Sequence, residues 1–158
     1  FTPSVIDQIV AVGARLAEIT LHVGYGTFEP VRVSDTRQHQ VAPERYEIDG
    51  SAAQAINETR ARGGRVISVG TTTTRALESA VNDRGFVDAT AGSATLTIVP
   101  GYNFRVVAGL LTNFHLPRSS LLMLVSAFAG HKLIIDAYHH AVAARYRFYS
   151  YGDCMLVI

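Results

Sequence analysis

The stretch Leu111-Thr-Asn-Phe-His-Leu-Pro-Arg-Ser-Ser-Leu-Leu-Met-Leu-Val-Ser-Ala-Phe-Ala-Gly130 decides the fold class. An apolar run that reads as a strand meets an apolar helix across a turn carrying Asn113, His115, Arg118, Ser119 and Ser120. Polar side chains crowded where a strand hands over to a helix mark a ligand site in an α/β protein. The fold alone asks for far fewer donors and acceptors at that point.

Outward from this stretch, strand-like and helix-like segments alternate. Thr2-Pro3 joins a hydroxyl cap to proline at a first helical position, and Val5, Ile6, Ile9, Val10 and Leu16 follow at helical spacing. Ile19 to Val23 predicts a strand running into Gly24-Tyr-Gly-Thr-Phe-Glu-Pro30, and residues 34–45 predict a long polar loop. Ser51 with Gln54 predicts a capping box, and Gly63-Gly64 closes that helix. Further strands are expected at Arg65–Val69, Ala94–Val99, Val106–Thr112 (Gly109 placed for a bulge) and, buried, at 154–158. Helices are expected from Arg75 to about Asn82, at 119–129 and at 132–146. This alternation predicts a layered α/β architecture, and 158 residues suffice for one domain with a core.

A net charge of +1 excludes bulk polycation binding, so any nucleic-acid contact must come from a local patch. Lys132 is the only lysine; the arginine bias suits phosphate forks, although a GC-rich genome explains it more simply. The single cysteine, Cys154, excludes an internal disulfide, fits a reducing compartment and is expected to be a buried, inert thiol. Leu121 to Ala129 is too short to span a bilayer, and no signal peptide is visible. The start at Phe1, without an initiator Met, reads as a fragment or a processed piece.

Chemistry concentrates in four places. Gly70 followed by Thr71–Thr74 puts backbone donors and hydroxyls at a helix start, where a carboxylate or phosphate is stabilised; helix capping is the plainer alternative. Arg75 and Glu78, one turn apart, are either ligand contacts or a solvated or mutually paired couple. Gly24 and Gly26 allow close ligand approach but lack the third glycine of a dinucleotide fingerprint, so an ordinary turn also fits. The segment Tyr146-Arg-Phe-Tyr-Ser-Tyr-Gly-Asp153 offers aromatic faces for a base or a sulfonium, or simply core. None of the six histidines has metal-ligand spacing, and no Gly-x-Ser-x-Gly elbow occurs, so no metal site and no serine hydrolase is expected. His115 is either an acid/base or a structural turn residue.

Five ordered blocks resemble one family, the S-adenosylmethionine:tRNA ribosyltransferase-isomerases of queuosine biosynthesis. They are Leu21-His-Val-Gly-Tyr-Gly-Thr-Phe-Glu-Pro-Val31, Val69-Gly-Thr-Thr-Thr-Thr-Arg-Ala-Leu-Glu-Ser79, Pro100-Gly-Tyr-Asn-Phe104, Thr112-Asn-Phe-His-Leu-Pro117 through Gly130, and Tyr146 to Asp153. The resemblance implies that residues 1–158 are the C-terminal part of a large layered α/β/α catalytic domain. The family's N-terminal part and its inserted β-barrel domain are absent from this chain. One departure stands out. Where the family has a His-x-Met-His-x-Glu-x-Tyr run, this chain has His39-Gln-Val-Ala-Pro-Glu-Arg-Tyr46, so Ala42 replaces the second histidine.

The implied reaction moves the ribosyl part of S-adenosylmethionine to the 7-aminomethyl group of a 7-deazaguanine at the tRNA wobble position. Isomerisation gives epoxyqueuosine, with adenine and methionine released. S-adenosylmethionine is then a consumed cosubstrate, no other cofactor is needed, and the protein is expected to be a cytoplasmic monomer whose partner is that tRNA. The sulfonium acidifies its C5′ proton, for which Glu44, His115 and Asp153 are the candidate bases. Cosubstrate contacts are expected from His22, Gly24, Gly26, Thr27, Phe28, Thr71, Thr72, Arg75, Tyr102, Phe104, Asn113 and Tyr151. Among these, Thr71, Thr72 and Arg75 suit the methionine carboxylate, and Phe28, Tyr102, Phe104 and Tyr151 suit base stacking. Arg118 and Arg147 are expected to meet tRNA phosphate. The alternative, favoured by the truncated start, is a noncatalytic tRNA- or nucleotide-binding fragment.

Overall fold

Two short three-stranded sheets share one helix. In the computed structural model we describe residues 1–24, 31, 32 and 35–158, and of Arg37 the backbone only. The elements are α1 (Pro3–Ala11), β1 (Thr20–His22), a 3-10 turn (Thr36–Gln38), β2 (Glu44–Ile48), α2 (Gly50–Ala61), β3 (Ile67–Val69) and α3 (Thr71–Ala80). After them come β4 (Thr90–Ala94), β5 (Gly109–Asn113), α4 (Ser120–Ala129), α5 (His131–Ala143) and β6 (Cys154–Val157). One sheet has the antiparallel order β1-β2-β4; the other has the order β3-β5-β6, with β3 and β5 parallel and β6 antiparallel to β5. The expected α/β class holds, with the strands divided between two small sheets.

The helix α3 packs against strands of both sheets. Its Ala76, Leu77 and Ala80 join Tyr46, Ile48, Ile56 and Val87 in the core over the first sheet. Leu110, Leu124, Val125, Ile134 and Tyr138 form the second core, between the other sheet and the α4–α5 pair. Phe104 and Phe128 touch both cores, with their ring centroids 4.7 Å apart. Gly130 links α4 to α5 at φ +86°, a backbone that favours glycine, and the two helices turn by 115° there. Among the described residues no single helix is long and apolar enough to cross a membrane.

Several local expectations shift, each for a packing reason. The strand expected at Ala94–Val99 lies instead at Thr90–Ala94, opposite β2. Gly92 is chosen by the Tyr46 ring: a Cβ there would sit 2.7 Å from the phenol oxygen. Leu96 and Ile98 leave the sheet for the second core. Asp49, not Ser51, caps α2, accepting from the Ala52 amide at 2.7 Å. The helix expected from Arg75, α3, begins at Thr71, so the four threonines lie within it. In β6 Leu156 is 56% exposed and Cys154 is exposed too, and Ile158 just after it is 73% exposed; the expectation of a buried strand with a buried thiol fails. Thr2 caps α1 as expected, yet α1 buries none of its side chains.

Two charged residues on α3 are buried for architectural reasons. Arg75 is 2% exposed and forms an ion pair with the equally buried Glu44. Its other donors reach the carbonyls of Leu96 (3.0 Å), Ala42 (3.2 Å) and Ala94 (2.7 Å). Burial pulls the guanidinium below its usual range, and the Glu44 carboxylate opposes that shift. One turn on, Glu78 accepts from the amides of Arg105, Val106 and Val107 and from the Tyr102 hydroxyl, at 2.8–3.0 Å. The pair is therefore neither solvated nor mutual; each residue staples α3 to a separate loop.

Removing one partner from a buried pair strands the other charge. Arg75→Leu is therefore expected to destabilise the chain by about 3–5 kcal/mol in urea unfolding. Glu78→Leu leaves the buried amides of Val106 and Val107 unpaired and is expected to cost about 3 kcal/mol by the same measurement. Either loss below about 1 kcal/mol would refute the stapling role.

Candidate functional site

The strands β3 and β5 are parallel, and both end beside the same opening. Their outward residues, Val69, Leu111 and Asn113, form a row with Cys154 of β6 that floors a cleft of about 910 Å³. Ser68 and Leu110 are buried on the opposite face, and Thr112, also buried, reaches the cleft lining. Ligands in open α/β sheets settle at this carboxyl edge, where following loops and helix starts converge. Three chain segments complete the cleft: Gly70–Thr73 at the start of α3, His115–Ser119 after β5, and the turn holding Tyr149, Ser150 and Gly152. Phe1, Thr2 and Val5 of the first helix and Leu21 and Val23 around β1 form the remaining wall.

The start of α3 is built to accept an anion. Gly70 adopts φ +93°, and no side chain caps the helix. The amides of Thr71, Thr72 and Thr73 precede the first intrahelical bond, from Thr74 to the Gly70 carbonyl at 3.2 Å. They carry the positive end of the helix dipole into the cleft. Thr73 and Thr74 spend their hydroxyls on Val69 and Gly70 carbonyls, and Thr74 also meets Ser68 at 2.7 Å. Thr71 is buried in the cleft wall and makes no hydrogen bond through its hydroxyl among the described residues, and Thr72 lies beside it.

His115 is the buried titratable group of the cleft. Its Nε2 lies 2.9 Å from the Thr112 hydroxyl, and its amide donates to the Tyr138 phenol at 2.7 Å. Burial pushes its pKa down to about 4, so the imidazole is neutral at ordinary pH. Arg118, exposed at the rim, adopts φ +58°, a left-handed conformation costly for a long side chain. Its carbonyl accepts from the Val31 amide at 2.7 Å, which holds the turn in place.

Other expected site residues lie elsewhere. Glu44 and Arg75 are sealed together in the interior, so neither is placed to meet a ligand in the cleft. Tyr102 donates to Glu78 at 3.0 Å and packs edge-on against Phe104 at 5.0 Å, and both rings serve the cores instead of a stacking site. Asp153 sits at the margin and accepts from the Arg147 amide at 2.6 Å and from its guanidinium at 3.1 and 3.2 Å. That chelation lowers the Asp153 carboxyl below its usual range and commits Arg147 to the turn. His22 projects from β1 towards Glu47 at 3.4 Å, outside the lining, while its neighbours Leu21 and Val23 are inside it. Gly24 follows β1 outside the lining. Tyr151 is 75% exposed between the lining residues Ser150 and Gly152. Gly26, Thr27 and Phe28 lie outside the described residues.

The cleft thus gathers Thr71, Thr72, Asn113, His115 and Arg118 from the expected set. It adds Thr73, from the helix start already singled out, and Tyr149 and Ser150, which were not among the expected contacts. For Tyr149 the missing signal is its φ of +66° and the bond from its amide to the Phe114 carbonyl at 2.9 Å. That bond brings the tail to the strand end and is invisible in residue spacing. Among the described residues no group of His, Cys, Asp and Glu is arranged to hold a metal ion.

Comparison with known proteins shows the family. Residues 1–157 match the family described as queuosine biosynthesis protein. Over 158 residues the chain is 54% identical to the S-adenosylmethionine:tRNA ribosyltransferase-isomerase of Trichlorobacter lovleyi, covering 100% of this chain and 46% of that one. The enzyme of the same name from Pelotomaculum thermopropionicum is 53% identical with the same coverage. The crystal structure of S-adenosylmethionine tRNA ribosyltransferase from Thermotoga maritima superposes with a TM-score of 0.80 at 39% identity, over 100% of this chain and 50% of that one. The chain therefore spans about half the length of the relatives it matches. On sequence and fold together, the chain belongs to the queuosine biosynthesis protein family.

Proposed function

We propose that residues 1–158 are the C-terminal part of a catalytic domain that transfers and isomerises the ribosyl group of S-adenosylmethionine. The acceptor is the 7-aminomethyl group of a 7-deazaguanine at the tRNA wobble position, and adenine and methionine leave. The observation that carries this reading is the single cleft joining an uncapped helix start to a buried neutral histidine and an exposed arginine. On this reading S-adenosylmethionine is consumed, the partner is tRNA, and the protein works as a cytoplasmic monomer.

Roles follow from the chemistry of each wall. The methionine carboxylate fits the amides and hydroxyls of Thr71 and Thr72, as an anion does at a helix N-terminus. Asn113 and the loop after it face the nucleoside. His115, neutral and held by Thr112, accepts the C5′ proton that the sulfonium acidifies. A neutral imidazole also avoids repelling the sulfonium cation, which a protonated one would not. Arg118 meets the RNA backbone at the rim. The second reading, a nucleotide- or tRNA-binding piece without activity of its own, draws on the chain spanning about half of its relatives' length.

Adenine release from S-adenosylmethionine, dependent on tRNA carrying 7-aminomethyl-7-deazaguanine, tests the proposal. Release by the chain supports catalysis; tRNA binding with no adenine supports the binding module. In an active form, His115→Gln is expected to lower adenine release about 100-fold or more while S-adenosylmethionine binding stays within a few-fold. Thr72→Val, by contrast, is expected to weaken S-adenosylmethionine binding by about tenfold in calorimetry.

The low pKa of His115 also makes an acid-stability prediction. Between the ordinary value of 6.5 and the folded value of about 4, the unfolded chain takes up a proton that the folded chain refuses. Stability from this group is complete above pH 6.5 and is lost as pH falls through about 4. The loss is bounded at about 3 kcal/mol, and His115→Gln should flatten the pH dependence of urea unfolding by that amount or less. Equal slopes in both proteins would show that His115 is not held neutral.

A further inference from the structure

Arg118 and Ser119 line a second cavity as well as the cleft. This one, of about 510 Å³, is also lined by Arg32, Thr36, Ser126 and His131, with no Asp or Glu among the described lining residues. Arg32, Arg118 and His131 have no ion-pair partner among the described residues. His131 opens α5, whose start has no side-chain cap.

The independent observation is Ser126. It is 4% exposed, faces this cavity, and makes no hydrogen bond through its hydroxyl among the described residues. An unpaired hydroxyl on a nearly covered residue that lines a cavity is available to a ligand entering that cavity. Two guanidinium groups, an imidazole and the Ser126 hydroxyl, with no acidic side chain among the described lining residues, select an anion with several acceptor oxygens.

We propose that this second cavity binds a backbone phosphate of the RNA whose modified base occupies the first cleft. The inference rests on the ribosyl-transfer reading for the identity of the RNA, and Arg118 at the shared wall couples the two sites. A phosphate seated here fixes the register of the strand, so that the adjoining nucleotide is delivered to His115 and Thr72.

The test measures binding of an anticodon stem-loop RNA to the chain over a range of salt, alongside calorimetry with S-adenosylmethionine. Arg32→Gln is expected to weaken RNA binding about five- to tenfold at low salt and to reduce the salt slope by about one, with S-adenosylmethionine affinity unchanged. Ser126→Ala is expected to weaken RNA binding about two- to fivefold without altering the slope. Inorganic phosphate should compete with the RNA and shift the amide resonances of Ser126 and His131. An unchanged slope in Arg32→Gln overturns the proposal and leaves the ribosyl-transfer reading intact. Phosphate shifts without any RNA binding overturn the RNA as occupant, and no shift with either probe overturns the site altogether. A changed slope in a protein that binds no S-adenosylmethionine supports this site and counts against the first cleft's proposed chemistry.

Discussion

The buried ion pair between Arg75 and Glu44 is the constraint around which the chain is arranged. It fastens α3 to the start of β2, and the same guanidinium takes the carbonyl of Ala94 at the end of β4. Glu78, one turn later, gathers the amides of residues 105–107 just before β5. One helix thereby fixes its position against both sheets through two opposite charges. Charges removed from water are tolerated only where every donor and acceptor is met, and here they are met by backbone.

That geometry is what shapes the cleft. With α3 held, its first amides lie next to the ends of β3 and β5, and Gly70 reaches the Leu111 carbonyl at 2.8 Å. The loop after β5 is held from behind by Tyr138, which takes the His115 amide, and from the side by Tyr149, whose amide reaches the Phe114 carbonyl. Rigid elements surround a polar rim. Such support keeps ligand-facing groups in position without requiring them to pack against one another.

The divide between structural and ligand-facing residues runs against their appearance in the sequence. Arg75, Glu44, Tyr102 and Phe104 look like chemistry and serve architecture. Thr71 and Thr72 look like helix capping and border the cleft instead. Charge type and aromaticity report what a side chain can do. Which of those capacities is used depends on whether other parts of the chain have already claimed it, as three carbonyls and a carboxylate claim Arg75.

Read alone, the sequence settled the alternation of strands and helices, the start of α1 at Thr2-Pro3, a helix at about 119–129, the two polar segments Gly70–Thr73 and Asn113–Ser119, and the family to which the chain belongs. These are local matters: caps, periodicity and ordered motifs act within a few residues of one another. Tertiary structure alone decided that Thr90–Ala94 is a strand, because the ring of Tyr46 lies over Gly92. It also decided that Cys154 is exposed on an outer strand, that Asp153 is committed to Arg147, and that His115 is neutral. Each of those outcomes depends on burial or on a partner far along the chain, and residue spacing holds no information about either.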